Sequence, residues 1–312
     1  MNKEFDSLSA KSERSGLCRS WRRQEVWIVR FIFLFPGLLY FGLFHFYPVV
    51  NSFYLSFFQW SVLTTRKGKP FVGFSNYLDI LKDPVFREVT WNTLYFSFWA
   101  VAGTVVLGLV LASLFFYVCP WMRKVGRGVM FVPVVTLMVA AALLWKWLFE
   151  SLGLINYLLS FFGLGPYYWL VSFKLAMPAV IIMTIWKQVG FTMVIFLTAL
   201  LQVPDQYLEA ADIEGAGELR KWWYITLPLI KPITMLVVII QIIVSFQVFI
   251  QVFIMTGGGP GNTTRTLVQY IYEKGFVYWA MGHAAAMSVL LFIAILFMTL
   301  IQFRYFGGSY KG

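Results

Sequence analysis

The chain of 312 residues is 60% hydrophobic and 20% aromatic but only 12% charged, with a mean hydropathy of +0.73. Soluble domains carry about 25% charged residues, so a soluble globular protein is excluded. The net charge of +11 comes from basic residues placed between apolar runs, which suits anionic lipid headgroups and excludes a nucleic-acid face.

The first 27 residues form a basic segment with Lys3, Lys11, Arg14, Arg19, Arg22 and Arg23. Six apolar runs follow, at 28–50, 93–118, 129–149, 175–201, 233–255 and 281–303. About 20 apolar residues as a helix cross a hydrocarbon core of about 30 Å. A bilayer offers backbone N–H and C=O groups no water, so spans must be helices or closed barrels. The runs lack polar–apolar alternation, which predicts an all-α polytopic membrane protein with six transmembrane helices. The first run is too long and too aromatic for a cleaved signal sequence.

Arg123, Lys124 and Arg127, then Arg220, Lys221 and Lys231, then Arg304 and Lys311 share one side with the N-terminal segment. Basic loops stay inside, so both termini, including a tail at 307–312, are expected in the cytoplasm. Trp27, Trp60, Trp91, Trp121, Trp145, Trp147, Trp223 and Trp279 fall near predicted span ends, where amphipathic rings favour the headgroup layer. The connections at 59–92 and 256–280 face outward, and 150–174, broken by Gly153, Gly163, Gly165 and Pro166, reads as a short helix at the outer surface. Arg66, Lys67 and Lys69 form an outer basic patch that reads as a solvated turn or a docking point.

Several chemistries are absent. "GGGPGNTT" lacks the Lys of a phosphate-binding loop. His45 and His283 stand far apart without Cys or acid neighbours at metal spacing, and Cys18 and Cys119 are too few for a disulfide framework. No paired carboxylates lie in a span, so the chain is not expected to be an enzyme. Every acid lies outside the predicted spans, whereas ion-coupled carriers place acids or His inside the bilayer. The energy for uphill transport is therefore expected from a cytoplasmic motor; a gradient-driven secondary carrier is the alternative.

Three segments carry polar groups in unusual places. Span 4 has Thr184, Gln188 and Thr192 on one stripe with Lys187 beside it, and span 5 has Gln241, Ser245, Gln247 and Gln251 among Phe246, Phe249 and Phe253. Amides beside aromatic rings suit sugar hydroxyls and ring faces, and equally suit interhelical hydrogen bonding. In span 6, Gly282 and Ala286 suit close helix approach. The third segment, 202–231, gathers Asp205, Glu209, Asp212, Glu214 and Glu218. Pro204 and Asp205 suit a helix start. Leu208, Ala211 and Gly215 give that helix a smooth face opposite its acids, and Gly215 and Gly217 bend or end it. By residues alone this is either a solvated elbow or a docking element.

Glu209, Ala210 and Ala211, then Gly215, then Ile225, Leu227 and Pro228 resemble, anchor by anchor, the EAA loop of binding-protein-dependent ABC importer permeases. The resemblance implies the type I ABC importer permease fold over 28–306, with 202–231 as the coupling loop seated in a cleft of the ATPase. It implies two ABC ATPase subunits that use ATP and Mg, no cofactor in this chain, and an extracytoplasmic solute-binding protein. It also implies a second homologous permease, as a heterodimer, in a bacterial or archaeal inner membrane. Glu214 stands where Asp is commoner in that family. "FVGFSNYLDILKDPVF", "WNTL", "TGGGPGNTTRTLVQYIYEKGF" and "GHAAAMSVLL" resemble the carbohydrate-uptake branch, in particular the maltose/glycerol-3-phosphate-type first subunit. A sugar or oligosaccharide is the expected solute, with glycerol-3-phosphate or a polyol as the alternative. The substrate-path candidates are Gln241, Ser245, Phe246, Gln247, Phe249, Gln251, Lys187 and Gln188.

Overall fold

The computed structural model describes residues 31–61 and 68–306, so Arg66, Lys67, Cys18 and the two terminal flanks lie outside the described residues. The chain divides at Leu55/Ser56 into two units. The first unit holds one helix, α1 (Phe31–Leu55), about 37 Å long at 1.5 Å per residue. Within it His45 stacks on Phe41 at 5.1 Å between ring centroids.

The second unit is built from α2 (Ser75–Lys82), α3 (Pro84–Tyr117), α4 (Pro120–Val135), α5 (Met138–Leu148), α6 (Leu154–Ser160) and α7 (Ala176–Leu200). There follow α8 (Asp205–Ile213), α9 (Glu218–Leu229), α10 (Lys231–Phe246), α11 (Ile250–Met255), α12 (Leu267–Tyr272) and α13 (Met281–Phe306). Helices α1, α3, α7 and α13 are each long and apolar enough to cross a membrane. The bent pairs α4/α5 and α9/α10 bring the number to six if each pair counts as one span.

Helices α3 and α7 share the most extensive pairing among the described helices. The reason lies in a four-residue repeat of small side chains on α3: Ala100, Thr104, Gly108 and Ala112, all buried. Gly108 lies against Thr192 and the backbone of Met193. Lipid tails are as apolar as Leu, so membrane helices gain most where small residues let backbones close up. At its C-terminal end Arg123 donates to the carbonyls of Phe115, Phe116 and Val118 at 3.0, 2.6 and 3.2 Å, capping the negative end of α3.

Three elements differ from the sequence expectation. The run 129–149 is not one straight helix: α4 and α5 meet at 96°, because Pro133 interrupts α4 and Thr136 and Leu137 are extended. Span 5 is likewise broken, with α10 ending at Phe246 and α11 starting at Ile250. Span 2 starts at Pro84, nine residues before the apolar run, because the Asp83 side chain accepts from Val85 N at 2.9 Å and Pro84 suits the first turn. One tryptophan also departs from the belt, since Trp145 packs into the core beside Phe149 and Trp186. The connection before α7 is organised by Asn156, which donates to the carbonyls of Glu150, Ser151 and Tyr167 and accepts from Trp169 Nε1.

The 256–278 connection is clipped to the projecting first turns of α3. Asn92 donates to the carbonyls of Asn262 and Arg265, Thr93 Oγ1 accepts from Leu267 N, and Asn262 donates to Glu88. The Tyr270 hydroxyl donates to Asp83, which Lys274 also faces at 3.6 Å. Burial pushes the Asp83 carboxyl up, but the Tyr270 hydroxyl, the Val85 N–H and Lys274 together hold it below its ordinary value. A depressed carboxylate contributes stability that is present above its unfolded pKa of about 3.9 and lost as pH falls through the lower folded value. The clip should thus persist through mild acid. Tyr270→Phe is expected to destabilise the purified protein by about 1.5–3 kcal/mol, the worth of a hydrogen bond to a charged group. Thermal melts at pH 7 and pH 5 should show the same deficit; no deficit at either pH overturns the assignment.

Candidate functional site: the acidic elbow and the broken fifth span

Helix α8 starts after Pro204, with Asp205 in its first turn. It stops at Gly215, whose φ of +75° is the left-handed conformation that glycine adopts without strain. Gly215 N bonds to Asp212 O at 3.0 Å and Ala216 N to Ala211 O at 2.9 Å, satisfying the last carbonyls of the helix. Gly217 then caps α9, its carbonyl accepting from Arg220 N and Lys221 N.

The smooth face of α8 turns inward. Ala211 is buried, and Leu208 lines a small cavity with Ser113, Tyr117, Leu200 and Trp222. Glu209 and Ala210 are exposed. Past the elbow, Leu227 packs into the core cluster of Ala112, Phe196, Leu200 and Ile230, Ile225 is half-buried, and Pro228 is exposed. The EAA anchors therefore separate into a surface pair, a turn, and residues that fasten the elbow to the membrane helices. Reading the sequence for its acids missed two exposed apolar side chains, Ile213 at 89% and Leu219 at 74%. The signal was available: aliphatic residues standing among charges on a short helix.

The five acids are not equivalent. Lys221 Nζ lies 2.7 Å from Asp212 and also binds Glu218, and Glu218 accepts from the Tyr117 hydroxyl at 3.3 Å. All five are exposed, and what sets Asp212 and Glu218 apart is their pairing with Lys221.

The span candidates disperse in the same way. Gln241 donates to Thr192 at 3.0 Å inside the protein, Ser245 donates to Ile242 O, and Phe246 and Gln251 are buried. The Lys187 ammonium donates to the carbonyls of Pro133, Val134 and Thr136 at 2.7, 2.9 and 2.8 Å, at the bend between α4 and α5. Gln188 and Phe249 are half-buried, and Gln247 is exposed at the break in span 5. There the freed Val248 carbonyl accepts from Thr266 Oγ1 at 3.0 Å. Non-helical backbone at membrane depth is tolerated where protein buries it or where it lines a water-filled cavity. Beside the break Phe249, Phe253, Tyr272 and Phe276 form a ring-to-ring ladder at 5.2–5.9 Å. Gly282 serves close approach, its Cα facing the backbone carbonyl of Phe58.

These features define an all-α polytopic membrane protein with a structured acidic elbow between two of its spans. The family profile described as "Binding-protein-dependent transport system inner membrane component" matches residues 94–306, and the chain belongs to that family: it is a permease subunit of an ABC import system that works with a solute-binding protein and an ATPase, in which ATP and Mg are used by the separate ATPase subunit. The chain is 32% identical to the probable ABC transporter permease protein YurN of Bacillus subtilis over 89% of its length and 96% of YurN. It is 33% identical to the arabinooligosaccharides transport system permease protein AraP of Bacillus subtilis over 90% of its length and 89% of AraP. In fold it matches a chain of a bacterial ABC transporter involved in alginate import, with a TM-score of 0.80, 22% identity, and coverage of 94% of this chain and 100% of that one. The fold is that of the type I ABC importer permeases.

Proposed function

We propose that this chain is one half of the transmembrane pathway of a sugar or oligosaccharide importer. It pairs with a second, homologous permease and docks on one of two ATPases through the elbow at 202–231. Both termini lie in the cytoplasm as flanks, 1–27 and 307–312, of a permease domain at 28–306. Solute passes the break in span 5, and Gln247 is the amide that meets it.

The observation that carries the solute class is the break itself, where an exposed amide stands beside a ladder of aromatic faces. Amides pair with hydroxyls, and ring faces cover the C–H faces of sugars. Similarity to AraP, named for arabinooligosaccharides, supports the same class. Glycerol-3-phosphate or a polyol is the second reading. A phosphate would call for cationic contacts, and the ammonium of Lys187 is already bonded to three carbonyls.

The test is to purify the intact complex with its binding protein and measure ATP hydrolysis with arabino-oligosaccharides, gluco-oligosaccharides, glycerol-3-phosphate and polyols. An oligosaccharide should stimulate most, and Gln247→Leu should lower that stimulation about tenfold, the worth of one lost polar contact of about 1.4 kcal/mol. Stimulation by glycerol-3-phosphate alone overturns the solute class. Gradient-driven uptake by the isolated chain in liposomes, indifferent to ATP, overturns the ATP-driven machine.

A further inference from the structure

The elbow contains a charged side chain that the docking role does not use. Lys221 sits in the first turn of α9, and only 7% of it is exposed although its neighbours Glu218, Leu219 and Arg220 are all exposed. Its ammonium joins Asp212, the penultimate residue of α8, to Glu218, the first residue of α9. Between the two helices the chain is Glu214, Gly215, Ala216 and Gly217, a hinge with two glycines. Backbone bonds end α8 and start α9, and across that hinge the ammonium of Lys221 holds one helix to the other. Glu218 continues the chain of contacts to the Tyr117 hydroxyl, and Trp222 Nε1 donates to Ser113 Oγ at 3.1 Å, so α9 is fastened to the C-terminal end of α3.

We propose that Lys221 is the positioning residue of the elbow: it latches α8 to α9, makes the two helices one lever attached to α3, and partly neutralises the charge that the exposed Asp212 and Glu218 offer the ATPase. The inference rests on the coupling assignment of 202–231 and adds to it a division of labour among the acids. Asp205, Glu209 and Glu214 offer the ATPase their full charge; Asp212 and Glu218 form the latch. A force applied at Glu209 reaches α3 through the latch and is lost in the glycine hinge without it. Replacing Lys221 also leaves two carboxylates facing each other with no cation between them, which pushes the helices apart.

The experiment uses the whole complex in lipid nanodiscs and reads the factor by which the system's own binding protein, as purified, stimulates ATP hydrolysis. Lys221→Met keeps the length and apolar stem of the side chain and removes the charge. It is expected to cut that factor by about fivefold or more, the low end of ordinary coupling between sites, while the amount of ATPase co-purifying with the permease stays within about twofold of native. Lys221→Arg should keep most of the stimulation. Asp212→Ala removes only the bond across the hinge and gives the same reading if the Met variant does not accumulate. Native stimulation in Lys221→Met or Asp212→Ala overturns the proposal, as does a loss that merely follows the loss of co-purifying ATPase. Glu209→Lys is run beside them. If it stimulates normally, the coupling assignment itself fails; if it is inactive while Lys221→Met is native, only the latch fails.

Discussion

Glu209→Lys and Gly215→Asp are each expected to abolish solute-stimulated ATP hydrolysis and uptake while the permease still inserts in the membrane. The two act by different physics. Glu209 is exposed on α8 and makes none of the internal contacts that tie down Asp212 and Glu218, so reversing its charge leaves the fold alone and changes only what a partner meets. A desolvated charge contact at an interface is worth about 2–5 kcal/mol when one side is removed, and reversal adds repulsion. Gly215 acts through the backbone. Its φ of +75° costs an L-residue about 1–2 kcal/mol, and open space around its Cα means that sterics with neighbours contribute nothing. The aspartate therefore swings α8 away from its direction and adds a negative charge to an elbow that already has five acids. Membrane fractionation with an uptake assay separates the outcomes: normal uptake by both variants sinks the coupling assignment.

Gly190→Val is expected to yield almost no assembled permease, and Lys187→Met a permease that melts early. These two residues stitch α7 to the bend between α4 and α5. A side chain at Gly190 would collide with the carbonyl oxygen of Met130, a backbone atom that cannot rotate aside. Overpacking costs about 1–3 kcal/mol even when neighbours can yield, and here the obstacle is a helix. Lys187 supplies its three N–H donors to Pro133, Val134 and Thr136, carbonyls at the end of α4 where helical partners run out. Met leaves acceptors without that donor inside the bilayer, at about 1–3 kcal/mol for each left unsatisfied. Heating the complex before size-exclusion chromatography measures both effects, and Lys187→Arg should recover part of the loss. A Lys187→Met variant with native melting and an altered dependence on solute concentration would restore Lys187 to the solute path.

What the residues made legible was whatever depends on local chemistry. Spans 2, 4 and 6 follow from unbroken apolar length, and the elbow's start and stop follow from Pro204, Asp205 and Gly215, since capping and left-handed turns are decided within four residues. The family was legible for the same reason, because its motif is contiguous. The bends were not. Pro133 marks a weak point in span 3, but the 96° angle needs Lys187, fifty-four residues later, to receive the freed carbonyls. The break after Phe246 needs Thr266 on another segment to cap Val248.

The sequence by itself determined the class of protein and the position of the acidic elbow, because hydropathy and a contiguous motif require no neighbours. Only the tertiary structure decided the role of each polar residue. Lys187, Gln241 and Lys221 are long polar chains whose partners lie 53, 49 and 9 residues away, and no local rule selects among the groups such a side chain can reach. Those partners set two of the five exposed acids apart, because a single ammonium on the buried Lys221 binds Asp212 and Glu218 across the elbow and does not bind Asp205, Glu209 or Glu214.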